Sequence, residues 1–471
     1  MSPLSASDRE SAGCLTPAAV KTYSVITWGC QMNVEDSEQI AAYLSREGFV
    51  EAADSSSADI VLLNTCSVRK KPEDKAFSML GVLREAKELN PGMVIGVCGC
   101  MAQLRADEIR RRAPYVDFVV GTAEISSIPG LITEAVQSRK FAKRLKLPER
   151  TGAIVTELPT RRVIEPGKVA KLKAFVPIQY GCDKFCAFCI VPTTRGRERS
   201  RPTEEILEEI AILAAQGTKE ITLLGQTVNS YGKNLLEGKV PFAQLLRRIA
   251  EIEGIERIRY TSPYPRDFRD DLVAAHRDCR EVMPHCHLPV QSGDDEVLKA
   301  MKRLYNVETF TEIYQNLRSV PRMAVTTDII VGFPGETREQ FENTLRLVEN
   351  LRFDGAFMFA YSPRPGTPAA DWNAQISRAE KQRRLGELIA LQNRITLEIH
   401  ESLVGEQFEV LIEGVADRQP DLSATEMPLL KGLSREFKTV HFFGNPTRIG
   451  RTAHVTATKA HQWGLFAEIV D

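Results

Sequence analysis

Strand patterns alternate with helix patterns through most of this chain, and this alternation limits its fold more than any other feature. Continuously apolar runs such as DIVLLN are typical of strands that are buried on both faces. In the first third of the chain, strand-like runs separated by helical patterns occupy residues 22–28, 59–64, 93–97 and 118–120. Six further βα units follow between residues 175 and 397. Repeated βα units predict parallel sheets, so we expect an α/β protein.

Pattern and composition divide the chain into five segments. The six βα units predict a full or partial barrel whose site lies at the C-terminal strand ends. Short alternating strands with turns near the C-terminus predict a small β-barrel. The expected segments are a disordered leader (1–20), an N-terminal parallel-sheet domain (21–138), a basic linker (139–167), a central (βα)6 partial barrel (168–400) and a small β-barrel (401–471).

Composition limits the cellular compartments in which the protein is expected. The chain has 471 residues and ten cysteines, and residues 1–19 lack the apolar stretch of a secretory signal. Cysteines without such a signal favour a reducing cytoplasm and metal ligation over disulfides. No apolar run approaches the roughly 20 residues of a membrane span. We therefore expect a cytoplasmic protein that does not associate with membranes, and we expect a monomer.

The densest group of cysteines directly follows the first strand of the central barrel. Cys182, Cys186 and Cys189 have the spacing C-x3-C-x2-C. Three thiolates at this spacing suit an iron–sulfur cluster, and a four-iron cluster would keep one iron open. The alternatives are a zinc site or three free thiols. Zinc would need a fourth ligand, and no His or Cys lies within about twenty residues after the loop.

Three cysteines of the N-terminal domain lie just beyond the C-terminal ends of three predicted strands. They are Cys30, Cys66 and Cys100, and they can converge because parallel strands end at one rim of a sheet. The alternative is three buried thiols, since free cysteine is among the most buried residue types. Cys98 competes with Cys100 as the third member. The cysteines without partner spacing, interpreted as structural or incidental, are Cys14, Cys98, Cys279 and Cys286.

Positive charge concentrates in the linker and behind the cysteine loop. Residues 139–173 hold eleven Lys and Arg against three acidic residues. Such a patch can neutralise phosphates, although it can also be a solvated charged linker. Arginines beside the cysteine loop favour an anionic substrate such as RNA, unless they pair with Glu198, Glu204 or Glu205. The predicted RNA-binding residues are Arg195, Arg197 and Arg199.

The cysteine motifs resemble those of the methylthiotransferases, a family of radical S-adenosylmethionine (SAM) enzymes. The resemblance rests on GCDKFCAFCIVPTTRGRERSRP at 181–202 and on WGCQMN, NTCSVR and CGCMAQ, and it covers residues 21–471. It implies two [4Fe-4S] clusters, each with one open iron. The resemblance implies that Cys100, and not Cys98, is the third ligand of the N-terminal cluster. Cys100 lies further past the strand and, as in the family, precedes Met101 and Ala102. The implied ligands are Cys182, Cys186 and Cys189 for one cluster, and Cys30, Cys66 and Cys100 for the other.

Polar and glycine-rich segments follow the other strands of the central barrel. They read LLGQTVNSY, TSPYP, HLPVQSG, DIIVGFPGET and YSPRPGT. Each alone is a weak signal, because turns need no function. All five resemble methylthiotransferase segments, which implies a SAM site at one mouth. The implied SAM-binding residues are Gly225, Gln226, Gln291, Ser292, Gly332 and Glu336, with Phe188 and Tyr361 near the adenine.

The resemblance also implies a reaction. One SAM methylates a sulfur on the N-terminal cluster, and another gives a radical that takes hydrogen from carbon 2 of an adenine. LLGQTVNSYG and CDKFC look most like bacterial members that modify N(6)-dimethylallyladenosine beside the tRNA anticodon. The implied partners are tRNA and an electron donor of the flavodoxin or ferredoxin type. The alternatives are methylthiotransferases for threonylcarbamoyl-adenosine or for a ribosomal-protein aspartate, and a non-catalytic iron–sulfur RNA-binding protein.

The C-terminal segment resembles the TRAM domain, an RNA-binding module, but departs from it in one turn. GLSREF stands at 432–437, where Gly-Arg-Thr and a later Asn are usual. From residue 401 onward there are seven Lys and Arg against ten acidic residues. This acidic balance favours the basic linker over the C-terminal barrel as the main RNA contact.

Overall fold

A computed structural model describes residues 21–67, 70–148, 150–151, 154–155, 171–235, 237–419 and 427–470. The predicted leader, most of the later half of the linker and Cys14 lie outside the described residues. No helix in the described ranges is long and apolar enough to cross a membrane.

The N-terminal domain is a six-stranded parallel sheet with helices on both faces. The strand order is β2-β1-β3-β4-β5-β6. Strands β3, β4 and β5 are buried along their whole length, because separate apolar clusters cover the two faces of the sheet. The elements are β1 (Thr22–Trp28), α1 (Gln31–Arg46), β2 (Val50–Glu51), β3 (Ile60–Thr65), α2 (Lys70–Leu89), β4 (Val94–Cys98), α3 (Cys100–Arg112), β5 (Phe118–Val120), α4 (Ile128–Ser138) and β6 (Ala142–Arg144).

The first sheet extends past residue 138, where the linker was expected to begin. Strand β6 pairs in parallel with β5. The sequence pattern did not predict this strand, because two of its three residues are charged. Lys143 is held by Asp107 at 3.0 Å and Arg144 by Glu134 at 3.3 Å, so two linker cations belong to the folded domain. A short hairpin follows, formed by β7 (Arg150–Thr151) and β8 (Ile154–Val155).

The central domain is the predicted six-stranded partial barrel. Two three-stranded parallel sheets, β9-β12-β13 and β14-β15-β16, stand side by side around one apolar core. Helix α8 and the small β10-β11 ladder were not predicted. The elements are β9 (Lys173–Pro177), β10 (Gln179–Tyr180), α5 (Val191–Arg195), β11 (Arg199–Ser200), α6 (Thr203–Ala215), β12 (Glu220–Leu224), α7 (Phe242–Ala250), β13 (Arg257–Tyr260), α8 (Asp270–Asp278), β14 (His285–His287), α9 (Asp295–Ala300), α10 (Val307–Arg318), β15 (Ala324–Val331), α11 (Arg338–Leu351), β16 (Gly355–Ala360) and α12 (Arg378–Ser402).

The C-terminal domain is a closed five-stranded barrel with the strand order β17-β18-β19-β21-β20. Strands β18 and β21 were missed in the sequence, where glycines and a short turn break their alternation. The strands are β17 (Gln407–Val415), β18 (Leu429–Ser434), β19 (Thr439–Phe443), β20 (Thr452–His461) and β21 (Gly464–Ile469).

The C-terminal barrel docks on the N-terminal ends of the central strands. Arg259 is 5% exposed; it binds Glu220 at 3.1 Å and donates to the carbonyl of Ser434 at 2.8 Å. Phe437 stacks on His285 with ring centroids 4.1 Å apart. The docking turn between β18 and β19 therefore contains the segment 432–437 that departs from the TRAM pattern.

Candidate functional site

Three cysteines meet at the C-terminal rim of the first sheet. Cys30 precedes α1, Cys66 directly follows β3, and Cys100 begins α3. The Cys66 side chain is hydrogen-bonded with both Cys30 and Cys100. The structure thus brings together the three positions that the strand-end rule singled out.

The surroundings of these thiols favour deprotonation of Cys30 and Cys100. The hydrogen bond with Cys66 and the positive charge of Arg195 act against burial, and together they lower the pKa of Cys30 to about 6 and that of Cys100 to about 7. Hydrogen bonds with the same two cysteines, together with burial, raise the pKa of Cys66. Thiolates are the form that binds iron.

Cys98 lies apart from this group. Its side chain is fully buried in an apolar cluster on β4, and its thiol points at the carbonyl of Leu63 at 3.5 Å. Burial raises its pKa. Gly99, with φ of +88°, makes the turn between Cys98 and Cys100, and a Cβ there would lie 2.4 Å from the Asn64 side chain. Glycine therefore allows the chain to reverse and to present Cys100 at the rim.

The second group of cysteines lies at the mouth of the central barrel. Cys182 and Cys186 are buried and Cys189 is half-buried, and burial raises the pKa of Cys182 and of Cys189 to about 12. Two backbone hydrogen bonds hold the loop in place. The Ala187 amide donates to the Met301 carbonyl, and the Ala187 carbonyl accepts from the Ala369 amide, both at 3.0 Å. This fixed loop holds the thiols at the strand ends.

The donor set suits a cluster better than a single metal ion. Within the described ranges, no group of three or more His, Cys, Asp or Glu side chains converges to hold one ion. Each cysteine group offers three sulfur donors, which suit a four-iron cluster with one open iron, whereas a structural zinc site needs four ligands.

Buried polar atoms without partners collect at the strand ends of the central barrel. In the described part of the chain, hydrogen-bond partners are lacking for Gln226 Oε1, Glu336 Oε1, the Tyr361 hydroxyl and both side-chain atoms of Gln179. Such atoms are costly unless a ligand or water satisfies them. Their grouping beside the cysteine loop fits a polar ligand such as SAM.

The remaining residues predicted to bind SAM shape this mouth. Phe188 packs edge-on against Phe333 with centroids 6.4 Å apart, and Tyr361 packs against the same ring at 5.2 Å. Gln291 has a left-handed backbone, with φ of +72°. Ser292 is buried, with its hydroxyl 3.4 Å from that of Thr344.

The turn after β15 is held by its own glutamate. Glu336 Oε2 accepts from the amide of Gly332 at 2.6 Å and from Arg384 at 2.7 Å. Gly332 has φ of +71°, and a Cβ there would lie 2.5 Å from the Lys381 side chain. The assignment of all these side chains to SAM stays a prediction.

The arginines after the cysteine loop are placed differently from one another. Arg195 is 4% exposed and pairs with Asp36 of α1 at 2.6 Å, so it joins the two α/β domains. Arg199 is also buried. Arg197 is 43% exposed and pairs with Asp183 at 2.6 Å. Of the three arginines predicted to bind RNA, only Arg197 has a partly exposed side chain, and the RNA-binding role of all three stays a prediction.

Sequence reasoning assigned no site role to three residues of this region. Gln179 interrupts an apolar strand, which was an available signal. Glu198 is 6% exposed and accepts from Thr227 at 2.9 Å, and burial raises its pKa to about 7. Arg303 donates to the sulfur of Cys186 at 3.3 Å, and its position depends on tertiary contacts that no local pattern shows.

The fold and the cysteine loop at its strand ends define a radical SAM protein. The radical SAM superfamily profile matches residues 176–348, and the profile of "Uncharacterized protein family UPF0004" matches residues 22–121. The radical S-adenosylmethionine methyltransferase TsrM from Kitasatospora setae shares the fold, with a TM-score of 0.52 and 13% identity over 87% of this chain and 82% of that one.

Relatives that match over nearly their full length show to which family of radical SAM proteins the chain belongs. The tRNA-2-methylthio-N(6)-dimethylallyladenosine synthase of Carboxydothermus hydrogenoformans is 44% identical over 96% of this chain and 100% of its own length. The enzyme of the same description from Thermoanaerobacter sp. is 45% identical over 95% of this chain and 93% of its own length. The chain belongs to the tRNA-2-methylthio-N(6)-dimethylallyladenosine synthase family. Like other radical SAM enzymes, it uses SAM and [4Fe-4S] clusters.

Proposed function

We propose that this chain adds a methylthio group to carbon 2 of the adenine in N(6)-dimethylallyladenosine next to the tRNA anticodon. The observation that carries the proposal is the pair of cysteine groups, each at the C-terminal strand ends of its own sheet. The Arg195–Asp36 ion pair joins the two domains beside one of these groups. Two cysteine groups on two domains that contact each other suit a reaction that needs both a radical and a sulfur donor.

The residues of this chain would divide the work between the two sites. Cys182, Cys186 and Cys189 would hold the cluster that, with SAM, supplies the radical chemistry. The cysteines of the first sheet would hold the second cluster, which supplies sulfur. The unpartnered polar atoms of Gln226 and Tyr361 would bind and orient SAM. The aromatic packing around Phe333 excludes water from the inner side of the mouth.

An RNA substrate would reach this mouth along exposed cations. Lys233, Lys239 and Arg269 line a cavity of about 210 Å³ beside the strand-end loops. Arg197 follows the cysteine loop and pairs with Asp183 within it at 2.6 Å. Phosphate contacts from such side chains position a nucleic acid without reading its sequence. We further propose a cytoplasmic monomer that takes electrons from a flavodoxin or ferredoxin type of donor.

Nucleoside analysis tests the proposed function. A strain that lacks this gene should lose 2-methylthio-N(6)-dimethylallyladenosine from its tRNA and accumulate the form without sulfur, as measured by mass spectrometry. Complementation with the wild-type chain should restore the nucleoside, and a variant with Cys182, Cys186 and Cys189 changed to Ala should not. Loss of a methylthio threonylcarbamoyl-adenosine or of a modified ribosomal aspartate would favour those two alternatives instead. An unchanged set of modifications would favour a non-catalytic RNA-binding protein.

A further inference from the structure

Arg303 is a half-buried cation that faces a cysteine and no carboxylate. Its Nη1 donates to Cys186 Sγ at 3.3 Å, its Nε donates to the Tyr305 hydroxyl at 2.9 Å, and its Nη2 reaches the Pro289 carbonyl at 3.4 Å. Within the described part of the chain, no Asp or Glu forms an ion pair with Arg303. The hydrogen-bond partners of this guanidinium are therefore a sulfur, a phenol and a backbone carbonyl, and none of them is a carboxylate.

Removing a cation from water without a counter-charge is unfavourable. The guanidinium lies 4.6 Å from the ring centre of Tyr264 and 5.1 Å from that of Tyr305. Cation–π contacts of this kind offset only part of the loss of water. The geometry therefore places a guanidinium that no described carboxylate neutralises 3.3 Å from Cys186 Sγ.

The local backbone aims Arg303 at the loop. Helix α9 ends in a Schellman motif, in which the amide of Arg303 donates to the carbonyl of Leu298 at 2.8 Å. The left-handed position of this motif, normally glycine, is Lys302 with φ of +57°. A strained non-glycine residue at such a point indicates a conformation that the surrounding structure imposes.

The two cysteine groups differ in how their arginines are paired. Arg195 acts on Cys30 and Cys100, but Asp36 neutralises it at 2.6 Å. Arg303 has no such carboxylate. Of these two arginines, only Arg303 therefore has no carboxylate of the described residues in contact with its guanidinium.

We propose that Arg303 is a positioning residue whose uncompensated charge makes the cluster of the central cysteines easier to reduce than it would otherwise be. This inference rests on the proposed assignment of Cys186 as a cluster ligand. A fixed positive charge beside a redox centre stabilises the state with one more electron. The charge would thus favour delivery of the incoming electron to the site where SAM is cleaved.

The test uses the full chain, reconstituted without oxygen, in wild-type, R303Q and R303K forms. Iron content is measured first, and then the midpoint potential of each reduced cluster signal is followed by electron paramagnetic resonance, without tRNA. The signal that changes when SAM is added reports the central cluster. In R303Q with full iron, its potential should become more negative while the other potential stays unchanged, and SAM cleavage at a fixed mediator potential should fall at least tenfold. R303K should stay near wild type.

The matched control is R318Q, because Arg318 also stacks on a tyrosine, Tyr314, but pairs with Asp354 at 3.1 Å away from the mouth. It should leave both potentials unchanged. An unchanged central potential in R303Q, or equal shifts of both clusters, would overturn the inference without touching the proposed function. If R303Q loses iron, the R303K variant is the test. A central cluster at near wild-type potential in R303K supports the inference, and loss of iron from R303K as well overturns it.

Discussion

At the scale of single residues, what distinguishes the cysteines is where the backbone points them. Cys98 and Cys100 are two positions apart, yet one is packed in a core and the other faces two thiols. The turn at Gly99 makes this difference. The sequence left both residues as candidates, and Cys100 ranked first because it lies further past the strand and precedes Met101 and Ala102 as in the family.

Substitution of these two cysteines should separate their roles. Cys100→Ala should remove one of two clusters, and so about half of the iron bound after anaerobic reconstitution. Cys98→Ala should keep the iron, because its thiol only approaches the Leu63 carbonyl. Its small cavity should cost no more than about 1–2 kcal/mol of unfolding free energy. Iron lost from Cys98→Ala and kept in Cys100→Ala would reverse the assignment.

Glu198 should make stability depend on pH. Burial raises its pKa from the ordinary 4.5 to about 7, so the folded state holds this proton more tightly than the unfolded chain. The associated stability is fully present below pH 4.5 and is lost as the pH rises through about 7. Glu198→Gln should therefore match wild type near pH 5 and exceed it at pH 8.5, by up to about 3 kcal/mol.

The anaerobic thermal midpoint measured across this pH range checks the Glu198 prediction. The exposed Glu251 offers a control, and Glu251→Gln should follow the wild-type curve at every pH. Parallel curves for wild type and Glu198→Gln would show that this carboxyl does not carry the dependence.

At the scale of elements, the contact between the C-terminal barrel and the central strands depends on buried arginines. Strand β13 begins with Arg257, which is fully buried and donates to the carbonyl of Leu433 at 2.6 Å. Arg259, two residues later, points to the same docking turn. Alternation along β13 therefore places charge and not apolar surface at the base of the barrel.

Arg259→Ala should loosen this contact. It would leave Glu220, which is also buried, without its cation, and breaking a buried pair in this way costs about 3–5 kcal/mol. Limited proteolysis should then cut between α12 and β17 sooner than in wild type. Arg280→Ala removes an ion pair to Glu409 from a side chain that is 79% exposed, so it should cost less than about 1 kcal/mol and cut at the wild-type rate. Equal cutting of both variants would refute this account of the docking.

The elements also show what a sequence can and cannot predict. Helix α2 and strands β1, β5, β12 and β19 lie where the patterns put them, because hydrophobic periodicity is a local signal. Strands β18 and β21 were missed, since they are specified by barrel closure. The burial of Arg195 could not be foreseen either, because its partner Asp36 lies 159 positions away in the chain.

At the scale of the whole molecule, buried contacts join the two α/β domains. Asp36 and Arg195 are both less than 5% exposed, and the Thr122 hydroxyl donates to the Thr194 carbonyl at 2.6 Å. These contacts lie next to Cys30 and Cys100. The relative placement of the two cysteine groups therefore depends on them.

Asp36→Asn should uncouple the two halves of the reaction. Arg195 would stay buried without a counter-charge, which weakens the interface. SAM cleavage without tRNA should stay near the wild-type rate, because the loop of Cys182 is untouched. Methylthio product should fall at least tenfold. Chromatography of 5′-deoxyadenosine and mass analysis of the nucleoside measure the two activities separately.

The matched control is Glu38→Gln on the same helix, which removes only an exposed pair with Lys171. It should leave both activities unchanged. A parallel loss of SAM cleavage and product in Asp36→Asn would indicate a general folding defect in place of uncoupling.

The position of the C-terminal barrel sets a fixed distance across the central domain, from the barrel to the cysteine loop. The barrel sits at the start of the central strands and the cysteine loop at their end, and the longest of these strands has eight residues. At about 3.3 Å per residue, the two surfaces are separated by roughly 25 Å. A free nucleoside cannot span that distance, whereas a folded stem and loop can. A single substrate that contacts both surfaces would therefore have to be a macromolecule.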